Sequence, residues 1–489
     1  MTGLRFGCSV SLAAAVVAAT VLAPARCPAQ PSFTEAIVDS AFGGPAGLYV
    51  SDVDGDGRND ILGAAVDSAD IAWWRNDGAD PVGWSKQTVA SSFGGAIFVY
   101  AEDVDGDMDT DILGAGWNRA QIAWWSNGGQ DSIVWTKQII ANGYTQAHEV
   151  YACDLDMDGD IDVMGASAGL NDITWWRNDG GSPIVWTEQI IDSACPGARS
   201  VRAGDLDGDG DMDAVSAALG SNEVSWYRND GGDPIVWTEF VITSSFGASH
   251  MVRIADMDGD IDPDIVGTAY AADQIAYWEN QGGDPVVWVK HVVASAFDGA
   301  VTGNPADIDS DGDIDVLGAA DLAGDVIWWE NLGGAPATWM RHDIDLDFAG
   351  VWPACADDIN GDGCVDLVAG GDDANTVKWW RNDCLAGVRG ADDDTPEMKK
   401  ARLFRNHPNP FGPSTVISFE VERASHARLT VYDTMGRRVR TLFDGVAAGV
   451  NSVEWDGRDE AGEVVSAGVY FARIVAGGFS HTRSMTLLR

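Results

Sequence analysis

An acidic segment returns in this chain every 51 residues, seven times, with no insertion or deletion between copies. It reads DVDGDGRNDILGAA from Asp52, DVDGDMDTDILGAG from Asp103, DLDMDGDIDVMGAS from Asp154 and DLDGDGDMDAVSAA from Asp205. It continues as DMDGDIDPDIVGTA from Asp256, DIDSDGDIDVLGAA from Asp307 and DINGDGCVDLVAGG from Asp358. The rest of the unit keeps the same step. An aromatic pair recurs from Trp73-Trp74 to Trp379-Trp380, and a single aromatic recurs at Phe33, Trp84, Trp135, Trp186, Trp237, Trp288 and Trp339. A further aromatic runs Phe42, Phe93, Tyr144, Phe246, Phe297 and Phe348, with Cys195 standing in the fourth copy.

A period near 50 points to a propeller or a solenoid. Four short segments of each unit have strand character; in the first they are Gly47 to Ser51, Asp60 to Ala65, Ile71 to Arg75 and Trp84 to Ala90. No sustained helical period is present. The expected fold is all-β: a seven-bladed β-propeller of four-stranded blades over residues 33–384. A linear solenoid would need atypical capping repeats, which are absent. The phase of the repeat adds a sharper expectation. Phe33 to Val38 is a fourth strand with no blade before it, and the last unit lacks a fourth strand. Pairing the two would close the ring and remove two open edges.

Oxygen-bearing side chains fall at positions 1, 3, 5 and 9 of every acidic segment. They are Asp52, Asp54, Asp56 and Asp60, then Asp103, Asp105, Asp107 and Asp111, then Asp154, Asp156, Asp158 and Asp162. Next come Asp205, Asp207, Asp209 and Asp213, then Asp256, Asp258, Asp260 and Asp264. The last are Asp307, Asp309, Asp311 and Asp315, then Asp358, Asn360, Asp362 and Asp366. Alternate side chains of a tight loop converge on one centre, and a dication there offsets their repulsion. Calcium, with six to eight oxygen ligands in flexible geometry, suits such a loop better than magnesium, and zinc lacks His or Cys here. Up to seven structural Ca2+ ions are expected, and +14 would leave the chain, at −46, still strongly acidic. An EF-hand is excluded, because position 12 is Gly, Ser or Ala rather than Glu.

The unit SAFGGPAGLYVSDVDGDGRNDILGAA resembles the FG-GAP/VCBS repeat of integrin α-subunit propellers and of bacterial surface proteins. The resemblance implies calcium in each loop as a structural ion. The Trp-Trp strand is richer in aromatics than integrin blades.

Up-and-down strands alternate their connections between two ends. The acidic loops and the NDGGDP loops share one face, and the SSFGG loops and those after LGAA share the other. On the second face the copies diverge. Trp117, His148, Arg199, His250, Tyr270 and Trp352 are the candidate ligand-face residues. No catalytic residues are assigned. GASAG at Gly165 occupies the slot of LGAA and has no strand-to-helix elbow around it.

Residues 1–29 read as a secretory signal with cleavage near 25 or 29. No other run is long and apolar enough to span a membrane. The acidic surface argues against nucleic acid. An exported chain permits disulfides, and one bridge is expected among Cys355, Cys364 and Cys384.

Residues 385–401 read as a linker, and from residue 402 to 489 the composition changes to net +2. About seven alternating segments there suggest an Ig-like β-sandwich. NPFGPST from Asn409, VYDTMGRRV from Val431, WDGRDEAG from Trp455, SAGVYFARI from Ser466 and the final MTLLR resemble the type A sorting domain of the type IX secretion system and the FlgD Ig-like domain. That resemblance implies export through partner secretion machinery. The function expected is non-catalytic binding of a glycan or protein ligand by a secreted or surface-attached monomer. A polysaccharide-active enzyme and a structural surface-layer component are the alternatives.

Overall fold

A computed structural model of the chain describes residues 31–129, 133–260, 262–334, 336–383, 401–403, 414–433, 438–458, 462, 464–466, 468–476 and 479–487. The expected signal segment, residues 385–400 of the expected linker and the turn at 409–413 lie outside them. The chain divides into two units, residues 1–388 and 389–489.

The first unit is built of seven four-stranded antiparallel sheets, so the chain forms a seven-bladed propeller. In the first blade the strands are Pro45–Ser51, Asp60–Ala65, Asp70–Asn76 and Trp84–Ala90, from the axis outward. The second strand, DILGAA, is buried along its whole length, because both of its faces are covered by neighbouring blades. The outermost strand is mostly exposed, with the polar run Ser85 to Thr88 at its centre.

The ring is closed by the first strand. Phe33–Asp39 pairs antiparallel with Thr376–Asn382, setting Phe33 opposite Asn382 and Ala36 opposite Trp379. The seventh blade thus takes its outermost strand from the start of the chain and the other three from the end. The core is distributed between blades. Phe42, Leu48, Ile61 and Trp74 of the first blade bury against Val368, Val377 and Trp379 of the seventh, and the same kind of layer recurs around the ring.

The tryptophan pair serves both sides of its blade, as a period of two requires. The first member meets the outer-strand aromatic of the next blade: Trp379 with Trp84 at 5.6 Å and Trp226 with Trp288 at 6.3 Å, edge to face. The second member meets the aromatic that leads into its own blade: Phe42 with Trp74 at 4.8 Å and Phe246 with Trp278 at 4.9 Å. That close approach needs glycine at position 12 of the acidic segment. A Cβ on Gly63 would sit 2.8 Å from both rings. Where Ala369 replaces that glycine, the Phe348–Trp380 rings stand farther apart, at 6.1 Å.

The fourth blade solves the same packing problem differently. Cys195 replaces the aromatic, and Ser216 and Tyr227 fill the space, with Cys195 Sγ 3.8 Å from Ser216 Oγ and Ser216 Oγ 3.2 Å from the Tyr227 hydroxyl. Restoring the aromatic alone overpacks this site. Cys195→Phe is expected to destabilise the unit by about 1–3 kcal/mol, and Ser216→Gly added to it to recover most of that loss. Urea denaturation of both variants measures the difference; equal midpoints for the two would refute it.

Cys364 is disulfide-bonded, whereas Cys153, Cys195 and Cys355 are free thiols. The partner of Cys364 lies outside the described residues, so Cys355 takes no part in the bridge.

The second unit has five strands among its described residues. Thr415–Asp433 and Arg438–Trp455 are long, and each merges two segments that the sequence pattern separates. Register shifts between Val421 and Ser425 mark the irregularity where the two halves join. The sheet order is Ala401–Leu403, Thr415–Asp433, Gly468–Ala476, Phe479–Leu487, with Arg438–Trp455 also pairing with Thr415–Asp433. Trp455 is fully buried at the centre of its core, 5.1 Å from Tyr470, and its indole N–H donates to Arg458 O at 3.0 Å.

Candidate functional site

Two places in the propeller concentrate chemistry: the seven acidic loops and the axial cavity.

In each loop the position-9 aspartate is a structural hub. Asp60, Asp111, Asp162, Asp213, Asp264, Asp315 and Asp366 are at most 1% exposed. One oxygen of each accepts the backbone N–H of the asparagine that ends the Trp-Trp strand, at 2.7–2.8 Å. The other accepts a backbone N–H near the loop's start, at 2.8–3.2 Å. Burial pushes these carboxyls up, Asp111 to about 8 and the other six to about 7, against the lowering effect of those hydrogen bonds.

The remaining loop carboxylates curl the chain. Position 3 accepts from the N–H at position 5, as in Asp56 N–H to Asp54 at 3.3 Å, and position 5 accepts from position 7, as in Asp109 N–H to Asp107 at 3.0 Å. Positions 4 and 6 both take left-handed backbone, Gly55 and Gly57 in the first loop and Met157 and Gly159 in the third. The curl brings carboxylate oxygens of Asp52, Asp54 and Asp60 within 4.8 Å of one another, and likewise Asp103, Asp105 and Asp111, and Asp154, Asp156 and Asp162. Asp205, Asp207 and Asp209 converge in the same way, as do Asp256, Asp258 and Asp260.

A hard divalent cation fits this donor set. Oδ1 of Asp52, Asp103, Asp154 and Asp307 is buried without a hydrogen-bond partner, an expensive state for an anionic oxygen unless a cation meets it. The first loop departs from the others. Arg75 Nε lies 2.5 Å from Asp54 Oδ2, and Arg58 and Arg75 both engage Asp56, so guanidinium groups there claim oxygens that an ion would use.

The asparagine at the end of the Trp-Trp strand belongs to the same construction. Asn76, Asn127, Asn178, Asn229, Asn280, Asn331 and Asn382 are all buried. Each Nδ2 donates to a carbonyl of its own loop, at 3.0–3.2 Å. In six blades it donates also to a carbonyl of the preceding blade's loop, from Asn280 to Leu206 O at 2.8 Å to Asn178 to Val104 O at 3.4 Å. The sequence reading passed over this residue. Its signal was available, since asparagine follows the aromatic pair by two positions in all seven units, more regularly than tryptophan fills the pair itself.

At the axis, the innermost strands enclose a cavity of about 490 Å³. Its middle layer holds Glu149, 2% exposed, which accepts from Arg202 at 2.7 Å, from Arg253 at 3.2 Å and from the Val201 N–H at 3.0 Å. Arg202 also lies over the Tyr151 ring, 4.9 Å from its centroid. Desolvation, with Arg202 close by, pushes Arg253 down to about 10.

The end of the cavity away from the acidic loops is where the diverging residues meet. Gly44 O accepts from Val66 N–H at 2.8 Å and Gly95 O from Trp117 N–H at 2.8 Å, so the two kinds of loop share this face. Trp117, His148, Arg199, His250, Tyr270 and Trp352 form one contiguous cluster. Ring centroids of Trp117 and His148 are 5.9 Å apart, His148 and His250 5.7 Å, His250 and Trp352 5.7 Å, and His250 and Tyr270 6.2 Å. The Arg199 guanidinium lies over Trp117 at 5.3 Å. Burial holds both imidazoles neutral, with His250 pushed down to about 3 and His148 well below its usual range.

Residues 52–113, 103–165, 154–216 and 209–267 match the FG-GAP-like repeat, and residues 409–478 match the FlgD Ig-like domain. The same four-stranded blades continue through Asn382, beyond the matched repeats. Among solved structures, the extracellular domain of BT3049, a hybrid two-component system of B. thetaiotaomicron, is similar at 10% identity and a TM-score of 0.47, over 94% of this chain and 58% of that one. PorZ, a surface component of the type IX secretion system of Porphyromonas gingivalis, is similar at 13% identity and a TM-score of 0.43, over 89% and 58%. BBS1N, in complex with ARL6DN, is similar at 10% identity and a TM-score of 0.48, over 71% and 95%. The chain therefore spans 58% of the length of the first two. No curated protein matches it. Among the described residues no helix is long and apolar enough to cross a membrane.

Proposed function

We propose that this protein is a secreted or surface-attached propeller, stabilised by calcium in its acidic loops, that binds a glycan or protein ligand without turning it over. The repeated loops support the calcium reading through their all-oxygen donor sets and the unpartnered buried oxygens of Asp52, Asp103, Asp154 and Asp307. Such ions are structural, because each loop ties a turn to its own blade through the position-9 aspartate. Export through the C-terminal unit rests on the motifs of residues 402–489.

The observation that carries the binding reading is the cluster at the cavity mouth. An otherwise strict repeat diverges at two of its positions, and six of the large aromatic, His and Arg side chains found there meet in one place. Aromatic, His and Arg side chains at a concave site suit recognition. Glu149, which lines the cavity, has both oxygens engaged by Arg202, Arg253 and the Val201 N–H, which disfavours it as a general acid or base. A glycan array run beside a polysaccharide depolymerisation assay tests the proposal. Binding without turnover is the expected outcome; turnover would replace the reading by an enzymatic one, and neither result would leave a structural surface component.

A further inference from the structure

The axial cavity holds a guanidinium that no carboxylate among the described residues neutralises. The protein carries 76 acidic residues against 30 Lys and Arg, yet Arg199, Arg202 and Arg253 all line this one space. Arg202 and Arg253 share Glu149. Asp357, at the acidic-loop end of its strand, accepts from Asn59 at 3.2 Å. Among the described residues no carboxylate pairs with Arg199, and its Nε is buried without a hydrogen-bond partner. Desolvation lowers its pKa, which measures the cost of keeping a charge there.

Beside it stands a second unmatched group of opposite character. His148 Nδ1 lies 2.8 Å from the Arg199 carbonyl oxygen, and a carbonyl only accepts, so Nδ1 carries the hydrogen. Nε2 of the neutral ring is then a bare acceptor, and it too is buried without a partner, on a residue only 7% exposed. A simple anion would satisfy Arg199 and leave His148 Nε2 empty. A neutral hydroxyl would do the reverse. The half-buried Trp352 lines the same cavity, and an indole face receives the C–H edges of a sugar ring.

We propose that this mouth takes a carboxylate-bearing saccharide of one or two rings. Its carboxylate meets Arg199, a ring hydroxyl donates to His148 Nε2, and the ring lies against Trp352. A cavity of about 490 Å³ is within the ordinary range for a ligand of that size. The inference rests on the reading of this face as a binding surface and names its ligand class.

Calorimetric titration of the full chain in calcium tests it, with D-galacturonate, D-galactose and acetate as probes and Arg199→Met and His148→Phe as variants. Galacturonate is expected to bind at least about tenfold more tightly than galactose or acetate, and Arg199→Met to weaken it about tenfold or more. His148→Phe is expected to weaken it by a smaller factor, and both variants should melt close to the parent. Galactose binding equal to galacturonate, or indifference to Arg199→Met, would overturn the anionic ligand. Acetate binding equal to galacturonate would overturn the saccharide. Failure of all three probes overturns this inference alone if the array finds some other ligand; an array without any binder removes the wider reading as well.

Discussion

Protein freed of divalent ions is expected to melt at least ten degrees below the calcium-loaded form. A site held at a hundredfold excess over its Kd contributes about 2.7 kcal/mol, and several such sites act on one cooperative ring. At roughly one to two degrees per kcal/mol for a unit of this size, even four occupied loops reach that shift. The dependence on pH should also differ between the two forms. Without ions, the seven position-9 aspartates titrate at about 7 to 8 in the folded state, against an ordinary 3.8. The folded state then binds more protons than the unfolded chain between those limits, so its stability is greatest in acid and falls as pH rises toward 8. A bound cation holds the same carboxylates ionised in the folded state, as they already are in the unfolded chain above about pH 5, so in the loaded protein they should leave stability nearly flat over the same window. Melting curves between pH 4.5 and 8, with metal content measured on the same samples, check both statements. Equal melting with and without ions, in material that carries none, would remove calcium from the account.

The second large effect is expected from Asn280→Ala. The Asn280 amide ties Leu206 O of the preceding blade to Pro263 O of its own loop, at 2.8 and 3.2 Å, while its Oδ1 accepts from Gly282 N–H at 2.9 Å. The residue is 3% exposed, so removing it strands the buried Leu206 carbonyl and a half-buried carbonyl and donor, at Pro263 and Gly282. A loss of about 3 kcal/mol or more follows, since each unmet buried polar group costs about 1–3 kcal/mol. The chain should unfold at a lower urea concentration, and calcium should not restore it, because the broken link lies between blades and not at an ion. A change below about 1 kcal/mol would mean that the clasp is ornamental.

Most of the blade was legible in the sequence because one error-free period of 51 supplies seven readings of each position. Asp60 to Ala65 and Trp84 to Ala90 were readable to the residue, since the acidic loop and the single tryptophan mark their starts. The inner strand starts two residues earlier than its pattern suggested, at Pro45, where a bulge between Pro45 and Gly47 breaks the alternation. The acidic side chains were legible as a group, but not their division of labour. Position 9 reads like the others in the sequence, and only its burial and its two backbone partners distinguish it. The asparagine clasp went unread because asparagine at the head of a glycine-containing loop, as in Asn76-Asp77-Gly78, looks like ordinary turn chemistry. The gathering of Trp117, His148, Arg199, His250, Tyr270 and Trp352 could not be read from spacing, because non-neighbouring units, such as those of His148 and His250, meet only at the axis. In the second unit no repeat exists to average over, and two long strands were each read as two.

The pairing of Phe33–Asp39 with Thr376–Asn382 has a consequence for how the molecule is born. A growing chain cannot finish its propeller blade by blade, since the strand made first must wait for the one made last, some 340 residues later. Until Asn382 has emerged, an incomplete ring shows an unsatisfied edge at each end, and a chaperone or a still-unfolded passage through a membrane would find it open. Completion is therefore a single late event, after which no blade can leave without breaking the circle.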